Sequence, residues 1–368
     1  MKRIIFISDY FRPEPGGVEG LNTGVARLWD PDRIEVIAPD VSISTRDHRM
    51  QFDSRLSFPV HRVSANKTLE FHQFVAHRVR AFQPDALLLG AITGSTRIGA
   101  AVAQEYDLPW GVILYSADLP SVSLIKAGNR KVLNRARYVF TLSRHLLDQF
   151  ARKGVDRDRM IALPPAVDFR WPDGKMSVPN RPEGLEARIK KKIVIVTVGP
   201  LVRARGLEIL FPVMDHLEDL KDRVHWIVAG SGPEYSYLNE LRRIHKREAD
   251  ITFTGFLSDE ELGGLLQRAD VFFDPGRVEP DNFSFTVMEA SHFGLPVVSV
   301  KGGGMSELVI HEATGLLADE RSPDDLARSL RRVINENALR KSLSTESKER
   351  SDDEFDIQRV FRALSSRI

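Results

Sequence analysis

Two carboxylates, Asp281 and Glu289, frame the stretch of this chain with the most chemistry in it: Asp281-Asn282-Phe283-Ser284-Phe285-Thr286-Val287-Met288-Glu289-Ala290. The apolar spacing predicts a helix from about Ser284, with Phe285, Met288 and His292 on one side. The first amides of a helix lack intrahelical acceptors and can bind phosphate. Asp281 lies just ahead of that start, and Glu289 more than a turn inside it. A pair so placed can accept hydrogen bonds from two polyols flanking one diphosphate, the hexose and the ribose of a nucleotide sugar. Spacing alone favours a plainer reading, with Asp281 as a helix cap and Glu289 as the partner of a nearby arginine.

Three further turns carry glycine or arginine where a ligand would need them. The run Ile193–Val198 leads into Gly199-Pro200-Leu201-Val202-Arg203-Ala204-Arg205-Gly206 and an apolar helix from Leu207. Arg203 and Arg205 suit a diphosphate, because a guanidinium offers phosphate oxygens a planar fork of donors. A solvated basic loop is an equally good reading of the same residues. Val228-Ala229-Gly230-Ser231-Gly232-Pro233 lacks the third glycine of a dinucleotide fingerprint and reads as a tight turn shaping the site, with Gly232 a candidate for contact with a bound nucleotide sugar. Near the start, Pro13-Glu14-Pro15-Gly16-Gly17 precedes a helix with Val18, Leu21, Val25 and Leu28 on one face. Gly16 and Gly17 permit close approach of backbone to an anion, or simply a tight strand-to-helix turn. Gly302-Gly303-Gly304 before Met305-Ser306-Glu307 offers the same pair of readings.

Each of these turns needs a strand to deliver it. Short β-branched runs recur at Ile4–Ile7, Ile34–Ile37, Val60–Val63, Ala86–Leu89, Gly111–Leu114, Val139–Leu142 and Met160–Leu163. A second series follows at Ile193–Val198, Val224–Val228, Ile251–Thr254, Val271–Phe273, Val297–Val300 and Gly315–Ala318. Strands apolar throughout must be covered on both faces, and alternation with helices implies parallel sheets. Pro172, Gly174, Pro179 and Pro182 mark an aperiodic stretch between the series. The expected division is an N-terminal domain over 1–170, a linker over 171–190, a second domain over 191–345, and a terminal segment over 346–368. The last carries Phe355, Ile357, Val360, Phe361 and Leu364 at helical spacing.

A chain of 368 residues exceeds the usual single core, which agrees with two domains. Lys plus Arg number 52 against 51 Asp plus Glu, so no global charge recruits nucleic acid. The absence of cysteine excludes disulfides, thiolate catalysis and Cys-ligated zinc. The histidines show no ligand spacing, so no metal is expected. The N-terminal apolar run is too short for a signal peptide and turns acidic at Asp9. No run is long enough to span a membrane, and the expected compartment is the cytoplasm.

The second half resembles the donor domain of the GT-B retaining glycosyltransferases of family 4, the glycosyl transferases group 1. The similarity runs in order through Gly199…Arg205-Gly206, Gly230-Ser231-Gly232-Pro233, Thr252-Phe253-Thr254-Gly255-Phe256, Ala269-Asp270-Val271-Phe272, Asp281…Glu289-Ala290, Gly294-Leu295-Pro296-Val297-Val298 and Gly303-Gly304…Glu307…Gly315-Leu316-Leu317. The first half adds Gly16-Gly17-Val18-Glu19, Thr141-Leu142-Ser143-Arg144 and Pro164-Pro165-Ala166-Val167-Asp168. The resemblance implies an α/β GT-B fold, two Rossmann-like domains with parallel sheets facing a central cleft, the last helix returning to the first domain.

It also implies roles. Glu289 would hold the ribose hydroxyls and Asp281 the transferred sugar, while the amides near Phe283, Ser284 and Phe285 meet sugar and phosphate. Arg205 stands where the family has a lysine that neutralises the diphosphate; Gly16 and Gly17 would approach phosphates or acceptor. Three positions depart from the pattern. Pro200 replaces an arginine, so Arg203 would have to supply that contact. Asp281 is shorter than the usual glutamate. The histidine usual after the fifth strand is missing from Val112-Ile113-Leu114-Tyr115-Ser116-Ala117-Asp118, where Tyr115 or a catalytic Asp118 would take over the polar contact.

The implied reaction is metal-independent hexosyl transfer with retention, from a UDP- or GDP-linked sugar to a glycan, glycolipid or small-molecule acceptor. Arg205, Arg203 and the helix start at Ser284 would stabilise the departing diphosphate, each such donor contributing about 3–4 kcal/mol. The nucleotide sugar is a substrate, not a cofactor. Two other readings stand beside it: a nucleotide-sugar epimerase on the same fold, and a degenerate relative that binds without turnover. Phe71-His72-Gln73-Phe74-Val75-Ala76-His77-Arg78-Val79-Arg80-Ala81-Phe82, with Arg55, His61, Arg62 and Lys67 nearby, offers a peripheral contact to an anionic membrane bearing a lipid-linked acceptor. An ordinary surface helix with its apolar face in the core is the commoner meaning of such a stretch.

Overall fold

A computed structural model describes residues 1–40, 45–64, 66–122, 127–168, 184–276, 283–319 and 321–368. The chain divides into two compact units, Met1–Asp168 with Glu354–Ile368, and Phe169–Asp353. Each is a doubly wound α/β body built on one parallel sheet.

The first sheet comprises β1 (Ile4–Ser8), β2 (Ile34–Pro39), β3 (Val60–Val63), β4 (Ala86–Gly90), β5 (Trp110–Leu114), β6 (Tyr138–Thr141) and β7 (Met160–Ala162). Their spatial order is β3-β2-β1-β4-β5-β6-β7, every pairing parallel. In β1, β4 and β5 every residue is buried, as strands covered on both faces require. Ile5, Ile7, Leu87, Leu89, Val112 and Leu114 point into one core with Phe71 and Val75 of the helix Thr68–Phe82. The second sheet comprises β8 (Ile193–Val198), β9 (Val224–Ala229), β10 (Ile251–Gly255), β11 (Val271–Phe273), β12 (Val297–Val300) and β13 (Gly315–Ala318). Its order is β10-β9-β8-β11-β12-β13, again all parallel. Its largest buried ring, Trp226, packs edge-on against Phe273 at 4.8 Å and donates Nε1 to Thr197 Oγ1 at 3.0 Å.

In each sheet the strand order reverses direction once, between β1 and β4 and between β8 and β11. The loops leaving such a pair diverge to opposite faces and open a crevice at the carboxyl ends, where doubly wound folds bind ligands. The loops at Gly16-Gly17, Gly199–Gly206, Gly230–Pro233 and Gly302–Gly304 each follow the carboxyl end of a strand.

The terminal helix Ile357–Ser365 completes the first unit. Val167 N donates to Phe355 O at 3.2 Å, and Phe361 meets Trp29 edge-on at 5.3 Å. The preceding helix Asn337–Glu354 is tied into the second unit, where Arg350 donates to Leu308 O at 2.6 Å and Glu307 O at 2.7 Å. The helix Leu185–Ile189 lies within the stretch read as linker and buries Leu185 and Ile189. Among the described residues no helix is long and apolar enough to cross a membrane.

In the second unit, glycines set how closely the loops after β8 and β9 run together. Gly199 N donates to Ala229 O at 2.9 Å, and Leu201 N to Ser231 O at 2.9 Å. A Cβ on Gly230 would stand 1.9 Å from Gly199 O, and its φ is +141°. Gly230→Ala is therefore expected to cost on the order of 3 kcal/mol or more. Gly255→Ala, at φ +75° with nothing within 4 Å of the new methyl, should cost about 1–2 kcal/mol from backbone strain alone. Urea denaturation of both variants compares them. Equal losses would show that the loop contact does not constrain the fold.

Candidate functional site

At the carboxyl end of β8 the chain passes Gly199, makes a short turn of 3-10 helix over Arg203–Arg205, and reaches Gly206 at φ +59°. Arg205 folds back beneath this turn. Its Nη2 donates to Val198 O at 3.0 Å and lies 3.5 Å from Asp274 Oδ2, while its buried Nε has no acceptor among the described residues. Asp274, directly after β11, is 2% exposed, and its Oδ1 accepts from Gly276 N at 3.0 Å. Arg203 is exposed on the same turn. So the two arginines differ: one is held at the switch point beside a buried carboxylate, the other faces solvent.

The helix after β11 runs Phe285–His292, with Ser284 as an extended N-cap residue at φ −131°. Ser284 is 6% exposed, and its hydroxyl lies 3.0 Å from Thr286 Oγ1 rather than capping the helix. Phe283 and Phe285 meet edge-on at 5.6 Å. Glu289 is half-buried on this helix, between buried Met288 and Ala290. Asp281 lies outside the described residues. Gly232 supports its neighbours more directly than the sequence suggests, since a Cβ there would stand 2.3 Å from Leu201 O. Its bare α-carbon is needed for loop packing whether or not a donor touches it.

In the first unit the loop Gly16-Gly17 opens the helix Gly17–Arg27, and Gly16 has φ +153°. A Cβ on Gly16 would stand 2.0 Å from Glu19 Oε2. The Glu19 carboxylate therefore lies on the side of Gly16 where a side chain would project. Burial pushes the Glu19 carboxyl up from its ordinary range, against the lowering effect of its own backbone amide and of Arg12.

Asp118 lies in the 3-10 turn Ser116–Ser121 that follows β5 and is 4% exposed. Its Oδ1 accepts from Ile92 N at 3.0 Å and its Oδ2 from Tyr115 N at 2.9 Å, so one side chain fastens the loops after β4 and β5. Burial, opposed by those two amides and reinforced by the Asp9 charge, pushes its carboxyl up to about 6. Asp9, at the end of β1, accepts from Ser95 Oγ. Tyr115 is interior: its hydroxyl donates to Asn22 Oδ1 at 2.6 Å, and Asn22 Nδ2 donates to Tyr10 O at 2.9 Å. Ala91 carries a φ of +85° in the same group, a conformation that costs a non-glycine residue about 1–3 kcal/mol and collects at functional sites. Tyr115 is therefore a brace for the site wall, and Asp118 has both oxygens engaged.

The helix Thr68–Phe82 turns Phe71, Val75, Ala76 and Val79 inward. Several of the nearby cations are matched by carboxylates: Arg62 by Asp53 at 2.9 Å, Lys67 by Glu70 at 2.8 Å, and Arg78 by Glu35, while His72 Nε2 lies 3.1 Å from Glu105. Burial and pairing both support the ordinary surface-helix reading here.

Sequence reasoning missed Asp274 and Arg321. Arg321 Nη2 donates to Gly206 O at 2.6 Å and its Nε to Gly276 O at 3.0 Å. Neither residue belongs to a motif; Arg321 acts through carbonyls remote in sequence, and Asp274 faces Arg205 from a distant loop.

Two family models match the chain, the one described as Glycosyl transferases group 1 over residues 185–350 and the one described as Glycosyl transferase 4-like domain over 24–166. An uncharacterised glycosyltransferase of Methanocaldococcus jannaschii is 30% identical over 155 residues, 42% of this chain and 39% of that protein, so the likeness spans well under half of that relative. A GDP-mannose-dependent alpha-(1-6)-phosphatidylinositol monomannoside mannosyltransferase of Mycobacterium tuberculosis is 24% identical over 358 residues, 91% of this chain and 89% of the relative. Among solved structures, HepE of Anabaena in complex with UDP-glucose matches with a TM-score of 0.78 at 19% identity, covering 100% of both chains. At that identity the structural likeness is one of fold.

The raised Asp118 carboxyl has a thermodynamic consequence. A group whose pKa is higher in the folded state contributes stability that is fully present below its unfolded value and lost as pH rises through the folded one. For Asp118 that window runs from 3.8 to about 6. Asp118→Asn should flatten this part of the stability–pH curve. It should also leave one of the two backbone amides facing an NH₂ group, at a cost of about 1–3 kcal/mol at pH 7. Urea unfolding of both proteins between pH 4 and pH 7 measures the difference, and an unchanged slope would mean that Asp118 titrates as an ordinary carboxylate.

Proposed function

Given that this chain belongs to the glycosyl transferases group 1 family and is a nucleotide-sugar-dependent glycosyltransferase, we propose that it transfers a hexose from UDP or GDP to an acceptor hydroxyl with retention of configuration. The second unit holds the donor. Arg205 meets the diphosphate, Arg203 adds charge from the solvent side, and the amides at Phe283, Ser284 and Phe285 receive phosphate and sugar oxygens. Glu289 accepts from the ribose hydroxyls, and Asp281 from those of the hexose. Gly232 keeps the turn beneath the donor close-packed. The first unit holds the acceptor, a glycan, a glycolipid or a small molecule, against the wall that Asp118 fixes, with Gly16 and Gly17 at its edge.

The bond between the anomeric carbon and the diphosphate oxygen breaks as the acceptor oxygen bonds to the same face of that carbon. The acceptor's proton passes to the departing phosphate oxygen, so no strong enzymic base is required. Charge grows on the diphosphate as the sugar leaves, and preorganised cations there favour the transition state over the ground state. The observation that carries this reading is Arg205. Its buried Nε lacks an acceptor among the described residues, and it sits at the switch point where doubly wound sheets bind ligands. The mannosyltransferase relative uses GDP-mannose and HepE was solved with UDP-glucose, which is why both nucleotides remain in the proposal.

Two substitutions test the donor assignments. Glu289→Ala should weaken nucleoside diphosphate binding by roughly 1.5–3 kcal/mol, the value of a charge-assisted hydrogen bond. Titration calorimetry with UDP and GDP reads this directly; unchanged affinity would make Glu289 a structural residue. Arg205→Ala should lower kcat by about 100-fold or more while raising KM for the intact donor far less. Steady-state kinetics with either donor class separates the two parameters, and a variant with wild-type turnover would remove Arg205 from the diphosphate.

A further inference from the structure

The contacts around Arg205 close into a ring. Arg205 lies 3.5 Å from Asp274 Oδ2, and Asp274 Oδ1 accepts from Gly276 N at 3.0 Å. Gly276 O accepts from Arg321 Nε at 3.0 Å, and Arg321 Nη2 reaches Gly206 O at 2.6 Å, where Gly206 follows Arg205 in sequence. Five residues from the loops after β8, β11 and β13 are thereby joined at the switch point of the second sheet. We propose that Arg321 is a positioning residue for the donor diphosphate: its guanidinium sets the Arg203–Arg205 turn against the loop that leaves β11, and through that turn it aims Arg205. The inference rests on the assignment of Arg205 to the diphosphate.

Three features of the ring favour positioning over general stabilisation. First, Nε and Nη2 form one edge of a planar group and grip two carbonyls on separate loops. That geometry is rigid in a way a lysine ammonium cannot reproduce. Second, the fit depends on Gly206. A Cβ there would stand 2.1 Å from Arg321 Nη2, so the bare α-carbon at φ +59° is what admits the guanidinium. Third, both gripped loops lead to proposed donor contacts, Gly206 immediately after Arg205 and Gly276 immediately before the stretch containing Asp281. Arg321 itself spends its fork on carbonyls, so its influence on phosphate runs through Arg205. The loop also departs from the family pattern at Pro200, which makes the aim of Arg205, the half-buried arginine of the loop, more consequential.

The test uses the full-length chain and titrations with UDP and GDP, beside uridine and guanosine as phosphate-free probes, for wild type, Arg321→Met, Arg321→Lys, Arg205→Ala and the double variant Arg321→Met with Arg205→Ala. Arg321→Met is expected to weaken nucleoside diphosphate binding by about tenfold and to leave nucleoside binding unchanged. Arg321→Lys should fold as wild type and recover only part of the loss. In the Arg205→Ala background Arg321→Met should have almost no further effect, because the residue it acts through is gone. Arg205→Ala weakening diphosphate binding while Arg321→Met does not would overturn this inference alone, as would losses that simply add in the double variant. Should Arg205→Ala bind diphosphates as wild type does, the diphosphate assignment fails and takes this inference with it. A fall in melting temperature with nucleoside and diphosphate affinities reduced alike would reduce Arg321 to a structural tie.

Discussion

Parallel strands that are apolar on both faces can expose polar chemistry only where they end. Within β1, β4, β5, β9 and β12 every residue is buried, and the backbone groups are used up by the neighbouring strands. Functional side chains therefore collect in the loops beyond the carboxyl ends. They collect most densely where the strand order reverses, because there the loops part and leave room. Asp9, Asp118 and Asn22 gather beside β1 and β4; Arg205, Asp274 and Arg321 gather beside β8 and β11. The same constraint, applied twice, yields two polar clusters of opposite design, one dominated by a buried carboxylate and one by guanidinium.

In the proposed donor role, the guanidinium cluster resolves a problem of charge storage. A cation meant for a diphosphate must be desolvated to act strongly, yet a buried unpaired charge costs several kcal/mol. Arg205 meets this by resting near Asp274, itself 2% exposed, with one donor on a carbonyl. The 3.5 Å separation is long for a charge-assisted bond, which under the proposed diphosphate role leaves the pair open to competition by a phosphate. In the carboxylate cluster Asp118 is held by two backbone amides yet remains easier to protonate than a surface aspartate. Burial outweighs the amides there.

The strands were legible because their pattern is local. Each of the runs from Ile4–Ile7 to Gly315–Ala318 falls on an observed strand, with ends shifted by a residue or so. The helix start at Ser284 was equally plain. What the pattern could not reveal is contact between distant loops. Arg321 looks like an unremarkable basic residue before the Ser322-Pro323 helix start, and its partners Gly206 and Gly276 are remote in sequence. Gly16 teaches a related lesson: nothing in its place at a helix entrance shows that the Glu19 carboxylate lies against it. Tyr115 stood where a polar contact was wanted, and only the three-dimensional placement of Asn22 shows its hydroxyl turned inward.

The division of the chain bears on its synthesis. The first unit needs Glu354–Ile368 as well as Met1–Asp168, so its last structural piece emerges from the ribosome after the whole of the second unit. Until then Trp29 lacks the ring of Phe361 and Val167 lacks the carbonyl of Phe355. The second unit, an uninterrupted stretch, can finish folding first. The usual N-to-C order of domain completion is thereby inverted: the half that is made first is sealed last.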